Sequence, residues 1–185
     1  MASCFELRHA AVLVSISAVI LTFSCVPSDR PQTGGSRPVD AAPEIGALSP
    51  LSGAGRTPVF RVVASHPAGA TAIHDLQVLI DARMTPTGSG ACWIDVNSLS
   101  SVAVRTEDAT AWLPYVRIGS AGTSANSKCS VAASEVKVET KGPELTVTLP
   151  VTLAPAFKGV KKVWVIASGP RQHSGWQERG IWTAN

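Results

Sequence analysis

The ten residues Glu144-Leu145-Thr146-Val147-Thr148-Leu149-Pro150-Val151-Thr152-Leu153 alternate strictly: Leu145, Val147, Leu149, Val151 and Leu153 fall on one side, and Glu144, Thr146, Thr148, Pro150 and Thr152 on the other. A period of two is the signature of a half-buried β-strand, with one dry face and one wet face. Pro150 has no N–H to give to a ladder, so the strand is expected to lie at a sheet edge or to bulge near its middle.

Working outward, similar short runs recur between clusters of Gly, Pro, Ser and Asn. They are Pro58 to Ser65, His74 to Asp81, Cys92 to Asn97, Ser101 to Arg105, Glu135 to Glu139, Lys161 to Ser168 and Arg179 to Thr183. No apolar pattern of helical period runs longer than a turn or two. Short strands at turn spacings of about ten residues predict an all-β chain, an antiparallel β-sandwich of immunoglobulin or fibronectin type III kind with about seven to nine strands. The chain has 185 residues, 45% of them hydrophobic and 16% charged, with a net charge of +3. That composition excludes a wholly disordered chain and a strongly basic nucleic-acid binder.

Only one stretch is continuously apolar, which excludes a multi-span membrane protein. Ala10 to Ser24 (AAVLVSISAVILTFS) follows Arg8 and carries no charge, as the core of a signal peptide would. Cys25 stands directly behind it, ahead of a Pro- and Gly-rich segment with prolines at 27, 31, 38 and 43. A cysteine there resembles a bacterial lipoprotein site, where the thiol is acylated. Ordinary cleavage and an uncleaved anchor are the other readings, and all three place the domain outside the cytoplasm. The expected organisation is a signal peptide or anchor over residues 1–24, a disordered tether over 25–44 and one domain over 45–185. A polar, Pro-rich tether cannot bury enough apolar surface to offset its ordering entropy.

Of four cysteines, Cys4 belongs to the export segment and Cys25 to the tether, which leaves Cys92 and Cys129. In an oxidising compartment a lone pair is most simply a structural disulfide. Metal binding is the weaker alternative, because no Cys-x-x-Cys or His-x3-5-His spacing accompanies them.

Six segments together carry a closer likeness. They are Leu48-Ser49-Pro50 with Gly53 and Gly55, Gly90-Ala91-Cys92-Trp93, Ala111-Trp112-Leu113, Asn126 to Val131, Pro155 to Gly159, and Ser174 to Trp182. From Ile45 to Thr183 the chain resembles an Ig-like module that recurs in secreted surface proteins of environmental bacteria. The resemblance implies an extracellular β-sandwich and brings no defined activity.

Five tryptophans stand against four phenylalanines and one tyrosine. Indoles in a small sandwich either fill the core or form an exposed surface on which sugar rings stack. Trp93 and Trp164 are out of phase with their aliphatic neighbours and are expected on an outer face; with Trp176 they are the candidate ligand-binding residues. Trp176, Arg179 and Trp182, three apart, would let a guanidinium meet an indole, although Arg179 reads more naturally as a clamp on the last strand.

The four histidines do not assemble a triad, no Ser sits in a GxSxG elbow, and no metalloprotease, phosphate-binding or dinucleotide motif is present. Glu107 and Asp108, in the loop before Trp112, could bind calcium together with Asp95, but two adjacent loop acids read as solvated. Lys158, Lys161 and Lys162, with Arg171 beyond, form a basic cluster that reads as protection of a strand edge. No catalytic residue, metal or cofactor is expected. The expected function is that of an exported, non-catalytic surface interaction or structural module, anchored in the cell envelope or secreted, whose partner is a protein or a glycan and not a nucleic acid. The alternative is an accessory carbohydrate-binding domain.

Overall fold

The computed structural model describes residues 40–85 and 87–185. The expected export segment, Cys25 and most of the tether lie outside the described residues. The described chain is all-β, with fourteen strand segments, eight of them of five residues or more, and a short 3-10 turn at Ala70–Ala72.

The alternating stretch becomes β11 (Glu144–Pro150), an inner strand of a four-stranded antiparallel sheet ordered β1 (Glu44–Ser49), β3 (Val59–Ser65), β11 and β10 (Lys137–Lys141). It is therefore not the edge strand that Pro150 suggests. Pro150 is its last residue, and β10 runs only as far along it as Thr148, so no neighbour on that side asks for an N–H. The chain then leaves the sheet: Thr152–Leu153 forms β12, which pairs with β9 (Cys129–Ala132) beside β8 (Thr123–Ala125) in a three-stranded sheet.

Seven segments build the other layer, in the order β2 (Ser52–Ala54), β14 (Gln177–Ala184), β13 (Gly159–Ser168), β4 (Asp75–Asp81), β5 (Cys92–Asn97), β6 (Ser101–Val104) and β7 (Val116–Arg117). Pairing is antiparallel throughout except between β2 and β14. Inward residues of all three sheets share one buried cluster, in which Phe60, Leu145 and Leu149 meet Leu76, Ile80, Ile94 and Val165. This is a sandwich of packed β-layers, compatible with an immunoglobulin-like module.

Cys92 and Cys129 are joined as a disulfide between β5 and β9, tying the seven-stranded to the three-stranded sheet. Asn126 makes a second tie nearby, donating to the carbonyls of Ala91 and Arg105 while its own side-chain oxygen accepts from the N–H groups of Lys128 and Cys129.

The core indole is Trp182, packed edge-on to Phe60 at 5.7 Å and donating to the Gly55 carbonyl at 2.7 Å. Gly53 passes against it so closely that a Cβ there would stand 2.2 Å from the ring. Gly53→Ala is accordingly expected to destabilise the fold by about 1–3 kcal/mol, the usual penalty of overpacking, read as a lower urea midpoint at unchanged slope.

Arg179 is the extra residue of a bulge in β14, between the partners of Val163 and Trp164. The bulge aims its guanidinium at the Ile45 carbonyl, 2.6 Å away, and at Gln177 Oε1. It thus clamps the last strand to the first instead of stacking on Trp176 or Trp182.

The basic cluster disperses. Lys161 points inward with Nζ 3.9 Å above the Phe157 ring, Lys162 pairs with Glu178 at 2.8 Å, and Arg171 pairs with Asp40 at 3.2 Å. Lys158 and Arg171 flank opposite ends of the ten-residue β13, about 30 Å apart at a strand's rise per residue. His66 is fully buried, with Nε2 3.0 Å from the Ala41 carbonyl and Nδ1 accepting from Ala68 N–H. It fixes the chain just before β1.

Candidate functional site

The strand register places a set of aromatic and polar side chains on the outer face of the seven-stranded sheet, away from the core. One row across it reads Trp164 (β13), Leu79 (β4) and Trp93 (β5), continued by Arg105, whose N–H donates to the Trp93 carbonyl and which bridges to Trp112. The next row reads Ile166, Gln77, Asp95 and Ala103, and the third Ser168, Asp75, Asn97, Ser101 and Arg117. Trp164, Leu79 and Ala91 form a second buried group, with Trp93 and Trp176 packed against it. The three candidate tryptophans therefore do come together.

Their exposure differs from what alternation suggests. Trp164 is on the outer face yet only 7% exposed. Trp93 is half-buried: Trp112 and Trp176 meet it edge-on at 5.7 and 5.6 Å, and the Arg105 guanidinium lies 4.4 Å from its centroid. Gly88, at φ 65°, crosses so near that a Cβ would fall 2.5 Å from the indole. Trp164 is thus covered. The rings that remain partly open are Trp93, Trp112, Trp176 and Tyr115, the last 40% exposed.

Arg105 was not singled out from sequence. Its guanidinium sits between Trp93 and Trp112, 4.9 Å from the latter's centroid, and Nε donates to the Ala109 carbonyl at 2.8 Å. It fills the space that a cationic ligand would take among these rings. Arg105→Ala is expected to lower stability by about 2 kcal/mol and to change the tryptophan emission, while Arg105→Lys restores charge but not the planar stacking, and so only part of the loss. Thermal unfolding followed by fluorescence reads both effects.

Asp95, considered with Glu107 and Asp108 for calcium, is not a solvent-facing acid. It is 2% exposed although it lies on the wet phase of β5. Oδ2 accepts from the Tyr115 hydroxyl at 2.7 Å, whereas Oδ1 is buried without a partner. Burial pushes its pKa up to about 7; the Tyr115 hydrogen bond pulls it back, the Asp75 charge adds to the rise and Arg105 counters it. Tyr115 in turn is driven above the ordinary phenol range by burial and by that carboxylate. Gln77 Oε1 accepts from Trp93 Nε1 at 3.0 Å, and Asn97 donates to Asp75 at 2.7 Å.

The acids weighed with Asp95 for calcium do not face it. Glu107 accepts from the Ser127 N–H and Asp108 from Thr106 and Thr110, bonds that hold both carboxyls below the usual range. Among the described residues no group of three His, Cys, Asp or Glu is arranged to hold a metal ion.

Neither the protein-family models nor the curated proteins contain a match to this chain.

Proposed function

We propose that this chain is an exported, non-catalytic immunoglobulin-like β-sandwich that serves as a surface interaction module, with the outer aromatic face of its seven-stranded sheet as the recognition surface. The observation that carries the reading is the second aromatic group, set apart from the core, with Trp93, Trp112, Tyr115 and Trp176 partly open on the sheet face that also carries Gln77, Asp75 and Asn97. A sandwich already held by one core and a disulfide does not need such a face for stability alone. The disulfide suits an oxidising compartment, and acylation of Cys25 would hold the module in the cell envelope; without it the module is secreted.

Within this reading the partner is a protein or a glycan. An accessory carbohydrate-binding role is supported by the same open rings beside amide and carboxylate groups, with the stacking surface drawn from Trp93, Trp112, Tyr115 and Trp176 and not from the buried Trp164. Neighbouring rings are tilted, 45° between Trp112 and Tyr115, which suits a bent or single-ring ligand better than a flat chain. Immobilised glycans and surface proteins screened with the full chain test the proposal. Binding that falls at least tenfold in Trp112→Ala and Tyr115→Ala supports it, and binding indifferent to both variants removes the face from the account.

A further inference from the structure

We propose that Asp95 is a proton-operated latch on the segment Trp112 to Tyr115: with its carboxyl neutral the segment is held down on the sheet, and loss of the proton to solvent releases it. The inference deepens the reading of this face as a recognition surface, on which only its functional consequence rests.

The segment lies between β6 and β7 and carries two partly open rings, Trp112 and Tyr115. Leu113 N–H donates to the Val104 carbonyl at 3.0 Å, Arg105 bridges to Trp112, and the Tyr115 hydroxyl reaches Asp95, while the Leu113 side chain packs partly against the core. The firmer anchorage is upstream, where the Glu107 carbonyl accepts from Gly90 N–H and Ser89 Oγ, its carboxylate from Ser127 N–H, and the Ala109 carbonyl from Arg105 Nε. A segment so attached can open without unfolding the sandwich.

Under it lies a carboxyl that is badly placed to carry charge. On the flanking strands Asp95 faces Gln77, whose Oε1 is taken by Trp93, and Ala103, which has no polar side chain. The charged and titratable groups around it are Asp75 from β4, Arg105 from the end of β6 and Tyr115 from the segment itself. Asp75 repels it. Arg105 is committed to two indoles and the Ala109 carbonyl and is no ion-pair partner. One hydrogen bond from Tyr115 therefore serves the whole carboxylate, and Oδ1 has nothing. A buried, half-satisfied anion is costly, and the cheapest relief is to admit water by lifting what covers it.

Because burial holds this carboxyl near 7 while the segment is closed, release develops as pH rises from the ordinary carboxylate value toward 7 and is complete above it. Across that window the fraction of open segment rises up to about tenfold per pH unit. Opening parts Trp112 from Trp93 and exposes ring faces that are closed in the latched state.

Hydrogen exchange of the full chain, corrected for the intrinsic pH dependence, tests the latch at the Leu113 amide. Protection is expected to be level below about pH 4, to fall severalfold to tenfold per unit as pH rises toward 7 and to level off above it, and to stay throughout below that of the β4 and β13 amides, which exchange only when the whole sandwich unfolds. Asp95→Asn is expected to flatten the profile. Asp75→Asn, which removes a repelling charge but leaves Asp95 in place, is expected to move the midpoint to lower pH, and it decides the matter should the first variant fail to fold. A wild-type profile without the fall, the same fall in Asp95→Asn, or an unmoved midpoint in Asp75→Asn overturns the proposal. The measurement needs no ligand, so a face that binds nothing leaves the latch standing, and a failed latch leaves the binding screen standing.

Discussion

Reduction of the Cys92–Cys129 bond is expected to lower the unfolding free energy by about 4 kcal/mol, the loop-closure entropy for a separation of 37 residues. For a domain whose net stability is on the order of 5–15 kcal/mol, that is a large share. The loss should not be spread evenly. The three-stranded sheet of β12, β9 and β8 is paired over only two and three residues on its two sides, so it depends on outside ties. The disulfide is one; Asn126, the bond from Val104 N–H to Ser124 Oγ and the pair of bonds between Leu153 and Arg56 are others. Guanidinium unfolding with and without reductant, and of the Cys92→Ala/Cys129→Ala double variant, measures the effect. The seven-stranded sheet should retain its hydrogen-exchange protection longest. A change below about 1 kcal/mol would mean that the Asn126 ties already hold the two sheets together, and that the bridge adds little chain entropy to remove.

What could be read ahead of the structure was governed by how much of each signal is local. Alternation in β11, β4 and β5 gave both the strands and their dry faces, and the phase of Trp93 and Trp164 put them on the outer face, because side-chain direction in a strand is a property of the strand itself. Alternation does not say what lies above a face. Trp164 is covered by its neighbours and Asp95 by Tyr115, and each cover comes from a segment distant in sequence. Asp95 therefore looked like an ordinary wet-face acid. Arg105 shares the phase that places Trp93 outside, so its position was readable, but its partner Trp112 arrives by an irregular segment with no period to follow. Short strands such as Ser52–Ala54 and Thr123–Ala125 carry no apolar pattern and exist because a neighbouring strand supplies the ladder. Pro150 misled for a related reason: its missing N–H constrains one side of one residue, and the end of β10 satisfies that constraint within an inner strand.

The second large effect is a stability that falls as pH rises from about 4 toward neutrality, and it is carried by one residue. The folded pKa of Asp95 is about 7 against 3.8 when unexposed to the fold, so between these values the folded state binds a proton that the unfolded state has lost. A raised pKa contributes stability that is whole below about pH 4 and lost as pH climbs to the folded value. At 1.36 kcal/mol per unit, the full span corresponds to about 4 kcal/mol, with a limiting slope of about 1.4 kcal/mol per pH unit. Glu107 and Asp108 act in the opposite sense, their lowered values contributing stability that is lost only in acid, below the window in which Asp95 titrates. Subtracting the profile of Asp95→Asn from that of the wild type cancels these and every other shared group. The difference should favour the wild type increasingly as pH falls from 7 to 4 and level off on either side, read from urea midpoints at half-unit intervals. A difference independent of pH would mean that Asp95 is reached by water in the native state, and that Tyr115 shields it far less than a 2.7 Å hydrogen bond over a 2% exposed side chain implies.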